Sequence, residues 1–534
     1  MDITNDRFKS EALKIIKEIS DSHFVAFDCE FSGITGRRER GSGKLTLQEF
    51  YDDTKAAAEE YQVLQVGLAI VKEDLKKKRY IIRPYNFTIS PIPTLRERIF
   101  VRKWSSSSGS MDFLAGHGFR HDLPFTSGVK YLSRSEESTV RAKIIANDEK
   151  KIEYADMEIK ARDRDVADHI RTSIQAWLAQ PEDQREDYLN LPGEGPGIPT
   201  TFNGFQVRLT HQIARNEFTG IETRGMGHFV QVTAPTEQEQ ATRRQIMIDE
   251  RESKLNNAIG FRWIVEALFG GNILDMPYDI ITAGLPHVNL GGQTAEEYIA
   301  SLQEKLRKRN KVLVGHNCFG DLVYLYACFI GPLPERVEDF AAEINMLCPA
   351  IVDTKHLASF TNRWGDTSLA VVEQEMQEEE VPHIIMPSEY DRYAHQATYH
   401  EAGFDALLTA KIMIRLPAKL EREQKYIDAA KDITAATAAY DGEMFGEEDA
   451  GYVTASESTE EGLGEKLAKQ LEKINIFGSP GKADAGSAVL DEEIAAMVKR
   501  GEIMPRWNAQ NGFWKLFGNR MQTNPAKEGI AFLK

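Results

Sequence analysis

The stretch HFVAFDCEFSGI, His23 to Ile34, decides the fold. Phe24, Val25, Ala26 and Phe27 lead directly into Asp28, Cys29 and Glu30. A short run this apolar and aromatic reads as a buried β-strand. Side chains alternate along a strand, so Asp28 and Glu30 share one face and Cys29 takes the other. Two carboxylates on one face beside an apolar run repel each other unless a cation sits between them. The bland alternative is a strand edge whose acids face solvent.

Working outward, MDITNDRFKSEALKIIKEIS places Ala12, Ile15, Ile16 and Ile19 at helical spacing before the strand. QVLQVGLAIV (62–71) and RYIIR (79–83) follow it as further strands, an antiparallel start to a mixed sheet. KVLVGHN (311–317) and AIVDTKHLA (350–358) each read as a strand leaving into a helix. Strands alternating with helices predict an α/β fold, a mixed sheet covered by helices.

That pattern delivers more acids to the same region. Asp321, in VGHNCFGDLVYLY, falls in the first turn of a helix leaving a strand, where open α/β sheets place ligands. An acid there also suits the helix dipole, which is the plainer explanation. In YHEAGFDALLTAKI, Leu408 and Ile412 follow Asp405 at i+3 and i+7, so Asp405 faces a core and needs a partner. His400 stands five residues earlier with Gly403 between, which places it on the loop entering that helix.

Bulk properties set bounds. The chain has 534 residues, 42% hydrophobic and 28% charged, enough for a sizeable core and more than one domain. Net charge is −17, which argues against a nucleic-acid coat protein but not against an enzyme whose carboxylates hold metal. Part of that excess lies in 441–461, with eight acids and no Lys or Arg. We find no run of 18 apolar residues and no apolar signal region at the start, so a membrane span is not expected. Cys29, Cys318, Cys328 and Cys348 form no CxxC and read as reduced thiols of an intracellular protein of cytoplasm or nucleus.

Asp-x-Glu on a first strand, Asp after a middle strand, and His-x4-Asp on a late helix together resemble the DEDD exonuclease superfamily in its His-bearing branch. SMDFLAGHGF, LVGHNCFGDLVYLYACFIGPLP, VDTKHLAS, DTSLA and HEAGFDA are similar to stretches of the poly(A)-specific ribonuclease (PARN) family over roughly residues 20–420. The resemblance implies a ribonuclease-H-like nuclease domain interrupted by a small α+β R-three-H module. It also implies two divalent metals, Mg²⁺ with Mn²⁺ as the alternative. By the same resemblance Asp28, Glu30, Asp321 and Asp405 are the ligands and His400 the general base. The expected activity is 3′-to-5′ hydrolysis of poly(A) tails to 5′-AMP, with trimming of small or oligoadenylated RNA 3′ ends as the alternative. A third reading, an inactive RNA-binding scaffold, leaves the five site residues without a purpose. Phe31, Ile34, Asn317 and Lys355 match positions that look like substrate contacts, by base packing, polar contact and phosphate pairing. For Phe31 and Ile34 core packing is the competing role.

The expected organisation is nuclease 1–163, inserted module 164–240, nuclease 241–430, acidic linker 431–500 and a short aromatic segment 501–534. In the module, Val166, Ile170, Ile174 and Trp177 form one helix face, and Phe205, Leu209 and Ile213 another. Arg208, His211 and Arg215 lie opposite the latter, where they could hold RNA phosphates or simply be solvated. The family's Arg-x3-His pattern is absent, so packing or homodimerisation are competing roles for the module. The region 430–500 lacks the aromatic RNP pattern, so cap recognition is not expected. Trp507, Phe513, Trp514 and Phe517 are expected to dock the tail onto the nuclease or onto a second subunit.

Overall fold

The structure is a computed structural model that describes residues 1–34, 44–95, 100–149, 156–181, 184–309, 312–359, 366–394, 397–423, 485–508, 511–523, 526 and 529–533. It divides into two compact units, Lys143–Lys254 and the rest. The first part of the chain supplies β1 (Asp2–Ile3), β2 (Phe24–Phe31), β3 (Val63–Asp74) and β4 (Arg79–Thr88). The Lys143–Lys254 unit holds β5 (Tyr188–Leu191), β6 (Glu222–Gly225) and β7 (Val230–Thr233). After it come β8 (Val312–Gly315), β9 (Ala350–Asp353), β10 (His383–Ile385), β11 (Arg520–Thr523) and β12 (Gly529–Phe532).

The large unit is built on a sheet of order β1-β4-β3-β2-β8-β9, with β10 also pairing β4. β3 runs antiparallel to β2 and β4, whereas β2, β8 and β9 are mutually parallel. Numbered by sequence, the five central strands stand in the order 3-2-1-4-5 with the second reversed. This is the mixed α/β, ribonuclease-H-like arrangement. Alternation along β2 separates two cores. Val25, Phe27 and Cys29 join one that includes Ile15, Ile16 and Ile19 of the Asn5–Asp21 helix. Phe24 and Ala26 join the other, with Phe404, Leu408 and Ile412 of the Ala402–Glu423 helix. Asp28 and Glu30 continue the second row toward that helix.

The helix can come this close because of Gly67. Gly67 lies opposite Asp28 in the β2–β3 register, and a Cβ there would overlap the Ala402 carbonyl. Gly403 does the same from the helix side, where a Cβ would lie 2.6 Å from both Asn86 Cβ and the Tyr393 hydroxyl.

The smaller unit has β7 between β5 and β6, with the Arg164–Leu178 and Gly204–Glu217 helices. Its core holds Ile170, Ile174, Trp177, Leu209 and Ile213. Phe205 was expected in that core but is 36% exposed, one turn before the buried stripe begins. The unit is also wider than 164–240. Asp156 pairs with Arg215, and the Met157 backbone bonds to the Gln212 side chain, so the chain before 164 already belongs to it.

The expected linker needs a similar correction. Residues 441–461 lie outside the described residues, but Ala485–Lys499 is a helix whose Ile494 and Met497 are buried. The Ala-, Gly- and acid-rich composition of the wider stretch hid the apolar positions of this helix, Val489, Leu490, Ile494, Met497 and Val498. Beyond it Phe513, Trp514 and Phe517 are buried in the core of the Ala402–Glu423 helix. Trp514 Nε1 donates to the carbonyls of Pro505 and Arg506 at 3.1 and 3.0 Å. The tail thus docks on the large unit as core, which excludes removing it without structural cost. Among the described residues no helix is long and apolar enough to cross a membrane.

Trp514 is 2% exposed and packed against Phe513 and Trp507. Trp514→Ala should therefore cost about 3–5 kcal/mol of stability, the usual result of emptying a large aromatic site. Urea unfolding checks this; a loss under about 1 kcal/mol would mark a surface position instead.

Candidate active site

Four carboxyls reach one place from three elements. Asp28 and Glu30 come from β2, Asp321 from the first turn of the Phe319–Phe329 helix, and Asp405 from the first turn of the Ala402–Glu423 helix. His400 lies in the turn before that last helix with φ 64°, a left-handed conformation that a side chain with Cβ adopts at some cost. Its backbone N–H donates to Asp405 Oδ2 at 3.1 Å, which ties the turn to the helix. The Cys29 N–H donates to Asp321 Oδ1 at 3.1 Å, which ties β2 to the Phe319–Phe329 helix.

Together they line a cleft of about 770 Å³. Phe31, Ile34, Asn317 and Lys355 line the same cleft. Phe31 lies against Tyr324, the rings tilted by 32° with centroids 4.0 Å apart, while facing the cleft, so it serves packing and wall at once. Ile34 is 59% exposed, which excludes the core-packing role. Asn317 is held at φ 62° by the bond from its N–H to Asp353 Oδ1, 2.8 Å.

Arg208, His211 and Arg215 belong to the Lys143–Lys254 unit. His211 Nδ1 shares a hydrogen bond with Thr223 Oγ1 at 2.7 Å, and Arg215 pairs with Asp156 at 2.8 Å. Arg208 is exposed.

The electrostatics are those of a cluster lacking its counter-charge. Burial, then Asp321, Asp405 and Glu30, push the Asp28 carboxyl well above the ordinary range. Burial, then Asp405 and Asp321, do the same to Glu30. Burial raises Asp321 and Asp405 to about 7. Among the described residues no Lys or Arg forms an ion pair with any of the four, and Asp405 Oδ1 is buried without a hydrogen-bond partner. Glu30, His400 and Asp405 present ligand atoms all within 4.8 Å of one another. Hard oxygen donors, one orphaned and all short of positive charge, fit a divalent cation.

His400 moves the other way. Burial and the neighbouring His117 lower its pKa, so the imidazole is neutral near pH 7 and free to accept a proton. Its ring meets His117 and Phe113 edge-on, with centroids at 4.3 and 4.8 Å. Reasoning from sequence gave neither residue a role. SMDFLAGHGF carries both, but nothing local says that the Ser108–Gly116 helix meets a turn almost three hundred residues away.

A family model described as CAF1 family ribonuclease matches residues 3–413. The chain belongs to the CAF1 ribonuclease family. This CAF1-family chain is 27% identical over 440 residues to the human poly(A)-specific ribonuclease PARN, covering 78% of itself and 62% of that protein. It is 24% identical over 444 residues to the Xenopus laevis PARN, with the same coverage of 78% and 62%. To the Bombyx mori pre-piRNA 3′-exonuclease trimmer it is 24% identical over 458 residues, covering 82% of itself and 76% of the trimmer. The chain spans about three fifths of the length of the PARN proteins that it matches.

The raised carboxyls give the metal-free protein a particular pH response. A carboxyl with its folded pKa near 7 and an unfolded value of about 4 is protonated more in the folded state between those limits. Stability should therefore fall as pH rises from about 5 to 8. Asp321→Asn and Asp405→Asn should each flatten that slope. Thermal melts in a chelator across this range test the expectation; a Tm that climbs with pH in the wild type would contradict it.

Proposed function

We propose that this CAF1-family chain is a divalent-metal-dependent 3′-to-5′ exoribonuclease that removes adenylate residues from RNA tails and releases 5′-AMP. The observation that carries this reading is the convergence of Asp28, Glu30, Asp321 and Asp405 on one cleft with His400 beside them.

Asp28, Glu30 and Asp405 would hold one cation, and Asp28 with Asp321 would support a second. Two such ions, when bound, supply Lewis-acid activation of a water and stabilise the leaving 3′-oxygen. The chain's own residues do the rest. His400 takes a proton from the attacking water as its oxygen bonds to phosphorus. The bond from phosphorus to the 3′-oxygen of the preceding nucleotide then breaks. That oxygen gains a proton from solvent, so the RNA is one residue shorter and again ends in a 3′-hydroxyl. Phe31 and Ile34 pack on the terminal base, while Asn317 and Lys355 hold polar groups and phosphate. Position at the cleft supports these four contacts.

Trimming of small-RNA 3′ ends is the second reading. The match to the Bombyx mori trimmer favours it, because that alignment covers 76% of the relative.

Alanine at Asp28, Glu30, Asp321 or Asp405 should each cut turnover by more than about 100-fold, the range that losing even an outer metal partner reaches. His400→Ala should cost about 10²–10⁴-fold, as expected for a general base. End-labelled oligo(A) and oligo(U), with a free or phosphorylated 3′ end, in Mg²⁺ or EDTA, give the assay. Internal cutting of the blocked RNA at the free-end rate would sink the exonuclease reading, and equal rates on A and U would move it to general trimming.

A further inference from the structure

Asp353, at the end of β9, is fully buried and carries no ion-pair partner among the described residues. Backbone amides satisfy its carboxylate instead. Asn317 N–H and Lys355 N–H donate to Oδ1 at 2.8 and 2.9 Å, and Gln522 N–H donates to Oδ2 at 2.9 Å. These donors belong to three separate stretches of chain. Two of them, Asn317 and Lys355, carry side chains that line the cleft. The third lies on β11, in the C-terminal hairpin that β11 forms with β12.

We propose that Asp353 is a positioning residue that fixes the substrate wall of the cleft, and that the C-terminal hairpin is its third anchor. The inference rests on the exonuclease reading for the identity of the substrate, a single-stranded RNA 3′ end. Two features make the arrangement more than ordinary packing. Asn317 sits at φ 62°, a left-handed conformation that asparagine adopts more readily than most side chains, and the bond to Asp353 gives its amide a buried acceptor there. A buried carboxylate bonded to amides is also intolerant of change, because each donor that loses it is left desolvated.

Asn519, just before β11, adds three more bonds, two to Ile351 of β9 and one to the residue before that strand. Asn519, at φ 55°, donates its N–H to the Ile351 carbonyl and accepts from the Ile351 N–H, both at 2.8 Å. Its Nδ2 donates to the Pro349 carbonyl at 2.9 Å. Residues more than 160 positions after β9 therefore hold that strand at its start, through Asn519, and at its end beside Lys355, through Gln522. The same carboxylate passes that constraint to Asn317 at the end of β8.

Two substitutions separate the parts. Asp353→Asn puts an NH₂ where an acceptor must face an N–H. Gln522→Pro removes the hairpin's N–H donor to Asp353 together with the side-chain bond from Gln522 Nε2 to the Gly529 carbonyl, and Gln522→Ala, which loses the side chain but keeps the N–H, is its control; an outer strand accepts proline there. Asn317 and Lys355 would grip RNA in ground and transition states alike, so weakening them acts on binding. Both variants should raise the KM for oligo(A) about tenfold, in keeping with the loss of a hydrogen bond to a charged group, and change kcat less than about threefold. Hydrogen exchange at the Asn317 and Lys355 amides should quicken in both, with the Ala402–Glu423 helix unchanged.

A fall in kcat at constant KM would overturn the proposal, as would unchanged KM and exchange. Exchange rising throughout the unit together with a lower Tm would show a merely structural role and overturn it too. Wild-type protein that leaves oligo(A) intact would refute the exonuclease reading by itself, and the exchange data would still decide the positioning.

Discussion

Four carboxyls crowded into one cleft repel one another, and the large unit is arranged to hold them there regardless. Neither Asp28 nor Glu30 can retreat, because both are side chains of a central strand that stays paired to β3 through Glu30. Asp321 is pinned by the Cys29 amide and Asp405 by the His400 amide. The cost appears as raised carboxyl pKa values, and burial is their first cause. A site that holds such groups together gives up stability, and it keeps in place a set of oxygen donors that fits a divalent cation.

Close backbone approach is what makes that crowding reachable. The Ala402–Glu423 helix begins directly over β3 and β4, where Gly67 and Gly403 leave no Cβ between them. Gly403 N–H donates to Asn86 Oδ1 at 3.2 Å, which fixes the height of the helix above β4. Glu401 then bonds to Arg392 and to the Tyr393 hydroxyl. The turn bearing His400 is therefore braced from below and from the side, and Phe113 and His117 close over its ring.

The C-terminal residues belong to the same device. Phe513, Trp514 and Phe517 extend the apolar core beneath the Ala402–Glu423 helix, and Gln522 completes the amide set around Asp353. The core is continuous from the far end of the chain to the wall of the cleft, so a loss of packing there is felt where substrate would lie.

Local pattern in the sequence determined a good deal. Two-residue alternation put Asp28 and Glu30 on one face, a strand running into a helix put Asp321 at a sheet edge, and the i+3 and i+7 apolar positions turned Asp405 inward. Those readings needed only the geometry of a single element. The tertiary structure alone decided how far apart the groups stand, that His117 and Phe113 meet His400, and that Gln522 reaches Asp353. It also decided that Ala485–Lys499 is a packed helix, because apolar residues such as Ile494 and Met497 acquire meaning only against a surface elsewhere in the chain. Periodicity records which way a side chain points; what it meets there depends on contacts between residues hundreds of positions apart, which leave no local trace.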